Sequence, residues 1–359
     1  GTTGGEFTVS ADGTDAAITP TNIVIKKQSA YGTSNVDAIA AGNAILFLQK
    51  AKRKIRELSY NFDVDGYVAP DLTILNDIVT KSGVNDMAYQ QEPDSILWCV
   101  RDDGVFAGLT YQRSENVIAW HRHKLGGTFG TGASATGFGV VESVATISGE
   151  LTEDELYVIV KRTINGATKR YVECFAPFDF DETVSTDFRF LDSHLIYSGS
   201  STTTLSGLSH LEGQVVSILA DGATHADKTV SSGSITLDRS VTSAVVGLKY
   251  DSVLQTMRVE GGSAQGTSQG KIKRISKVVL RLFETVGAKV GPSLTDLETV
   301  PFRTTSSPMG QPVSTLIAGD KQVEFRDDFN SDGFIFVKQD QPLPLSVLAI
   351  YPTLVTSDG

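Results

Sequence analysis

The sequence predicts an all-β protein: β-propeller-like blades followed by small β-barrel or sandwich domains. Three observations predict it. Apolar and polar residues alternate at period two along most of the chain, the pattern of strands with one buried face. Val, Ile, Thr, Tyr and Phe fill short runs bounded by Gly, Asp, Asn and Ser, as in residues 22–27, 95–100 and 333–338. Hairpin signals recur, among them Asp65-Gly66, Asp103-Gly104, Asn165-Gly166, Asp221-Gly222 and Asp332-Gly333, where Gly and Asn tolerate positive φ. Only two segments have helical spacing. One is residues 71–81, with Leu72, Leu75, Ile78 and Val79 behind a proline. The other is a single turn at 36–42.

The first half carries a weak internal repeat. Residues 84–124 read as a run to Tyr89, a Pro-Asp turn, a run 95–101, an Asp-Asp-Gly turn, a run 105–113, a Ser-Glu-Asn turn and a run 117–123. A second unit follows from 140 to 175, with runs at 144–147, 156–162 and 169–175. Residues 43–62 fit the same plan. Units of roughly 40 residues with up to four short strands are the signature of propeller blades. About three are present and a closed propeller needs at least four, so further sequence is expected upstream. Trp98 and Trp120 are expected to anchor adjacent strands of one blade.

The character changes after Ala176-Pro177. A Ser/Thr/Gly-rich stretch at 202–209 precedes a compact set of runs from 211 to 250, and a Gly-rich loop at 261–270 comes soon after. Residues 271–287 alternate over a long stretch, as one long strand or a broken pair. The Pro-containing stretch 300–312 reads as extended. The expected domains are therefore 1–180 as partial blades, 208–252 as a small β module, and 181–207 with 253–359 as a further β domain packing with the blades.

Composition narrows function. The chain has 359 residues, 40% hydrophobic and 20% charged, ordinary for a folded protein. A formal charge of −11 argues against a nucleic-acid clamp, which needs a concentrated basic face, but suits a wall that DNA slides past. Cys99 and Cys174 form no CxxC site and read as two buried free thiols. No apolar run reaches membrane-span length, and the N-terminus has no signal-peptide pattern.

Three stretches carry a family resemblance: Leu58-Ser59-Tyr60 through Asp71-Leu72-Thr73; Tyr89 through Trp98 with Leu109-Thr110-Tyr111 and residues 118–123; and residues 211–222, Leu-Glu-Gly-Gln-Val-Val-Ser-Ile-Leu-Ala-Asp-Gly. The chain resembles the tail tubular or nozzle proteins of short-tailed bacteriophages and their prophage relatives. The resemblance implies a virion structural protein of the tail, made in the host bacterial cytoplasm. It implies a ring-shaped homo-oligomer, a hexamer in that family, which contacts other phage tail proteins and lets DNA pass. It offers no catalytic residues. The alternative is a host-surface glycan-binding, lectin-like tail protein. A polysaccharide-degrading enzyme comes third.

No catalytic or cofactor-binding set is expected. His121 and His123 share a strand face without a visible third ligand, and His194, His210 and His225 are isolated. Asp328, Asn330 and Asp332, with Gly333, match the first half of a calcium loop, but Gln339 stands where a bidentate Glu belongs. Asp179, Asp181, Glu182 and Asp187 form an acidic loop that could pose as a glycosidase pair. Lys50, Lys52, Arg53, Lys54 and Arg56 are the dense basic run, a contact to DNA or to an acidic neighbouring subunit. Lys271, Lys273, Arg274, Lys277 and Arg281 form a sparser basic strand. Residues 126–132 read as a mobile Gly-rich loop.

Overall fold

The computed structural model describes residues 1–12, 16–149, 153–177, 186, 188–263, 266–303 and 316–357. It is all-β, 58% strand and 3% helical against the third that is usual for globular chains. Among the described residues the sheets are small and antiparallel, and none closes on itself. The chain divides into two compact units, Gly1–Pro177 and Phe178–Gly359.

In the N-terminal unit, β1 (Glu6–Ala11) and β2 (Ile23–Ser29) form a two-stranded ribbon. Three meanders follow in chain order. The first joins β3 (Ile39–Ala41), β4 (Ala44–Leu48), β5 (Ile55–Asn61) and β6 (Gly66–Val68). The second joins β7 (Val84–Gln90), β8 (Ile96–Arg101), β9 (Phe106–Gln112) and β10 (Val117–His123). The third joins β11 (Val140–Ile147), β12 (Glu155–Ile164) and β13 (Ala167–Cys174). The expected units at 43–62, 84–124 and 140–175 are thus separate sheets. Their first strands lie side by side: β3 touches β7, and β7 touches β11.

Period-two alternation decides how they pack. Leu97 and Cys99 face the first sheet, where they join Leu46, Leu48 and Ile55 in one apolar core. Trp98 and Val100, the intervening residues of β8, face the third sheet and meet Val144, Leu156, Val158 and Val160. The second sheet is therefore buried on both faces. The two tryptophans do not sit on neighbouring strands, because β9 runs between β8 and β10. They also point to opposite faces: Trp98 stacks on Phe106 toward the third sheet, while Trp120 packs against the first core and donates to the Leu72 carbonyl.

Neither expected helical segment is a helix. Residues 39–41 are strand β3. Residues 71–81 are a bridge and a chain of turns. The Asp71 carboxylate accepts hydrogen bonds from the Thr73 amide and hydroxyl, and amide-to-carbonyl bonds of i→i−3 spacing at 76→73, 79→76 and 81→78 replace a helical ladder. Leu72 and Val79 anchor the loop in the core.

The second unit contains β14 (Asp192–Ser206), β15 (Val215–Ala220), β16 (Ala223–Thr229), β17 (Ser234–Leu248), β18 (Ser252–Gln255), β19 (Gly262–Ser263), β20 (Gly266–Thr267), β21 (Ile272–Thr285), β22 (Lys289–Ser293), β23 (Asp296–Thr299), β24 (Ile317–Glu324), β25 (Phe336–Gln339) and β26 (Ser346–Ser357). The expected module at 208–252 is one sheet in the order β14-β17-β15-β16, with Leu205, Leu211, Val216, Ile218, Val241 and Val246 in its core. Its boundary differs from the expected one, because β14 lies along the whole of β17 and brings residues 192–206 into the sheet. Residues 271–287 form one long strand, β21, between β24 and β26. That sheet shares a core with the sheet β18-β25-β22-β23, Ile275, Val278 and Leu280 meeting Val290, Ile335 and Val337. Most of the stretch 300–312 lies outside the described residues.

Candidate functional site

The basic run caps the β4–β5 turn. Lys52 takes φ of 60° there, and its side chain donates to Asn85. The five cations do not form one open patch. Arg56 is buried: its Nη1 donates to the Ala69 carbonyl at 2.6 Å, its Nε to Gln49, and its guanidinium lies 3.6 Å from the centre of the Tyr31 ring. Lys54 pairs with Asp71 at 2.8 Å. Burial would raise the Asp71 carboxyl, but the hydrogen bonds from Lys54 and Thr73 outweigh it and hold the group below its ordinary range. Lys50 and Arg53 stay exposed. The turn also props the neighbouring loop: the Arg53 carbonyl accepts from Thr80 Oγ1 at 2.6 Å, and the Lys52 carbonyl from the Val84 amide at 2.9 Å. On that loop Ile74, Leu75 and Ile78 face water.

At the opposite end of the same two sheets lies an open cleft of about 630 Å³, lined by Asn43, Tyr89, Ser95, Tyr111, Gln112 and Arg113. These come from the β3–β4 turn, the β7–β8 connection and the end of β9. Arg113 is held by Glu57 at 2.9 Å and by Ser59 Oγ at 3.0 Å. The buried Tyr111 hydroxyl completes no hydrogen bond. Burial and the adjacent Glu57 carboxylate push its pKa up. Sequence reasoning missed this cleft, since its residues come from three separate turns and no local spacing joins them.

His121 and His123 lie between the second and third sheets. Their rings share a 2.7 Å contact between Nδ1 of His121 and Nε2 of His123; Trp98 packs against both, Phe106 lies beside His123, and Phe175 contacts Trp98 and Phe106. Burial, then the charge of His121, holds His123 down at about 4; burial lowers His121 too. The His121 ring covers Gly108, directly across on β9, where a Cβ would come within 2.1 Å of it. Among the described residues, no three His, Cys, Asp or Glu side chains gather as a metal centre requires.

In the calcium-like loop, Asn330 Oδ1 accepts from the Asp332 and Gly333 amides, an Asx turn, and Asp332 pairs with Arg258 at 2.8 Å. The structure thus gives the Asn330 and Asp332 oxygens protein partners, while Asp328 accepts from Asn330 through its backbone. The second basic strand is also divided. Lys273 is fully buried against Glu260 at 3.0 Å, and Arg281 forms a two-pronged pair with Asp320 over the Tyr351 ring. Asp179, Asp181, Glu182 and Asp187 lie outside the described residues. In the Gly-rich loop the Gly126 carbonyl accepts from Arg162 Nε, and the Gly130 amide donates to Thr163 Oγ1. Cys99 is buried as expected, but Cys174 is exposed on β13.

A buried ion pair escaped the sequence reading. Arg162 has no solvent exposure and holds both oxygens of Glu173. Its signal was present: Leu156, Val158, Val160, Arg162 and Ile164 are alternate, inward positions of β12. Against known proteins, no family model matches the chain and no curated protein matches it.

Proposed function

We propose that the chain is a structural component of a short-tailed phage tail, of the tail tubular or nozzle type, acting by assembly and not by catalysis. The observation that supports it best is the row of three consecutive meanders, packed face to face with their first strands adjacent. That is how propeller blades are arranged around an axis. It agrees with the family resemblance of residues 58–73, 89–123 and 211–222. The sheets of the second unit are then the added barrel or sandwich domains of that architecture. The acidic balance of −11 fits a passage for DNA, because a basic lining would bind phosphate. The protein belongs in the virion in this reading, as a homo-oligomer beside other tail proteins. Mass spectrometry of purified virions, with electron microscopy of the protein, tests it. Absence from virions together with a monomer at high concentration would reject it.

A lectin-like role in binding the host surface is the second reading, favoured by the cleft that combines Tyr89 and Tyr111 with Asn43, Gln112 and Arg113. A glycan array probed with the protein decides between the two.

A further inference from the structure

We infer that the two ends of the first and second sheets are the two halves of a contact between copies of this chain, the basic aliphatic end of one copy seating on the acidic end of the next. The inference rests on the assembly reading above and names its surfaces.

Backbone and side-chain hydrogen bonds define the ends. The β4–β5 turn, the loop 69–83 and the β8–β9 turn lie together, tied by Thr80 to Arg53, Val84 to Lys52 and Asp102 to Gly83. In an antiparallel meander the alternate turns then lie at the other end: β3–β4, β5–β6, β7–β8 and β9–β10. The cleft that joins Asn43, Ser95 and Arg113 shows three of these turns meeting there.

The first end carries a rigid apolar knob. Leu75 is 94% exposed, with Ile74 and Ile78 beside it. A slack loop could fold such residues away. This one cannot, because Leu72, Thr73, Val79 and Thr80 are buried on either side. Three exposed aliphatics on a fixed support differ from the scattered single ones that need no explanation. The knob rests on the basic turn, so exposed Lys50, Arg53 and Lys81 flank it. Asp77, Asp102 and Asp103 share this end, Asp103 paired with Arg101, so the positive charge here is confined to the β4–β5 turn and Lys81.

The opposite end carries the complement. Asp63, Glu92, Asp94 and Glu115 are exposed there, with Arg113 the cation among them. Apolar surface lies within the acidic set: Phe62 is 87% exposed and Val64 stands two residues on. Each end thus pairs an aliphatic or aromatic tip with charge, and the signs are opposite. Copies of net charge −11 repel at long range, so these ends select one orientation of approach. Joining unlike surfaces makes a heterologous contact, which propagates into a ring or an open stack. Duplex DNA would match the basic turn but leave the knob without an apolar partner, which favours a second copy.

The test uses two charge-reversed forms of the whole chain at exposed positions: Lys50→Glu/Arg53→Glu/Lys81→Glu, and Glu92→Lys/Asp94→Lys/Glu115→Lys. Circular dichroism first establishes that both fold. Sedimentation velocity should show wild type self-associating and each variant associating at least about tenfold more weakly. An equimolar mixture should recover association, since each reversed end now meets its reversed complement. Leu75→Glu should weaken association without such recovery. Variants that associate like wild type overturn this contact and leave the assembly reading standing. A wild type that stays monomeric at all concentrations overturns this contact, and the assembly reading falls with it only where the protein is also absent from virions. Binding of wild type to duplex DNA or phosphatidylglycerol vesicles, lost in the first variant while self-association is unchanged, reassigns the basic end to that partner and also overturns the inference.

Discussion

The second and third sheets of the N-terminal unit are the same kind of meander with different burial. In β8, five of six residues are buried and the run Ile96-Leu97-Trp98-Cys99-Val100 is continuously apolar. In β12, buried Leu156, Val158, Val160, Arg162 and Ile164 alternate with Tyr157, Ile159, Lys161 and Thr163. The difference is position. The second sheet has a neighbour on each face, and the third packs one face against the second. A strand's sequence pattern therefore reports how many of its faces are covered. This contrast can be broken or sharpened by substitutions on either side of it.

The largest effect is expected at Trp98. Its ring stacks on Phe106 at 4.9 Å, lies 5.3 Å from His123 and 6.0 Å from Phe175, and its Nε1 donates to Gln90. Trp98→Ala should cost about 3–5 kcal/mol in urea unfolding. It should also release the third sheet, seen as faster amide exchange in residues 155–164. Loss confined to the second sheet would show that the two sheets do not depend on one another.

The next effect is a pH dependence from the same interface. Burial holds His123 down at about 4 when folded and lowers His121 as well, so folded His123 is neutral at pH 7. The unfolded imidazoles titrate near 6.5. Stability from this source is fully present above about 6.5 and is lost as pH falls toward 4, by on the order of 3 kcal/mol for His123. Carboxylates titrate over part of that range as well, so the measured quantity is the difference between wild type and His123→Phe at pH 7 and at pH 4.5. An equal difference at both pH values would contradict the assignment.

Gly108→Ala comes third, at about 1–3 kcal/mol. The added methyl would press on the His121 ring, which must shift within a filled interface. Paired with His121→Ala, the same change should cost far less. A double-mutant cycle reads that coupling.

Most strands of the three meanders were legible in the sequence because they pair with chain neighbours and one turn of each sheet carries Asp-Gly or Asn-Gly, at 65–66, 103–104 and 165–166, whereas β3 reads as a helical turn. β14 was not, because Leu205 and Thr204 pair with Ile235 and Thr236, some thirty residues on, across two intervening strands. Residues 71–81 misled for another reason. Leu72, Leu75, Ile78 and Val79 have helical spacing, but the Asp71 carboxylate caps a turn at Thr73, and half of that apolar set faces water. Among the candidate sites, the basic run was visible as a run, but its division into buried Arg56, paired Lys54 and exposed Lys50 and Arg53 depends on partners distant in sequence: Ala69, Asp71 and Tyr31.

The smallest expected effect tests the uncovered face directly. Val172 on β13 stands opposite Ile159 of β12, which in turn stands opposite Ser143 of β11. Val172 is 72% exposed, whereas Val160, one residue along β12 from Ile159, is fully buried. Thr has nearly the shape of Val and suits a strand as well, so Val→Thr isolates the environment of one methyl group. Val172→Thr should change stability by less than about 0.5 kcal/mol. Val160→Thr places a hydroxyl in an apolar interface and should cost about 1–3 kcal/mol. If the two cost the same in dilute protein, the third sheet is covered on both faces. If Val172→Thr is neutral in dilute protein but costly at high concentration, another copy covers that face. Mass action requires this, since a substitution felt only in the assembled form shifts unfolding only where the assembled form is populated. A Val172→Thr effect that stays small across concentration, beside a large Val160→Thr effect, leaves the sheet with one covered face, as its alternating sequence reads.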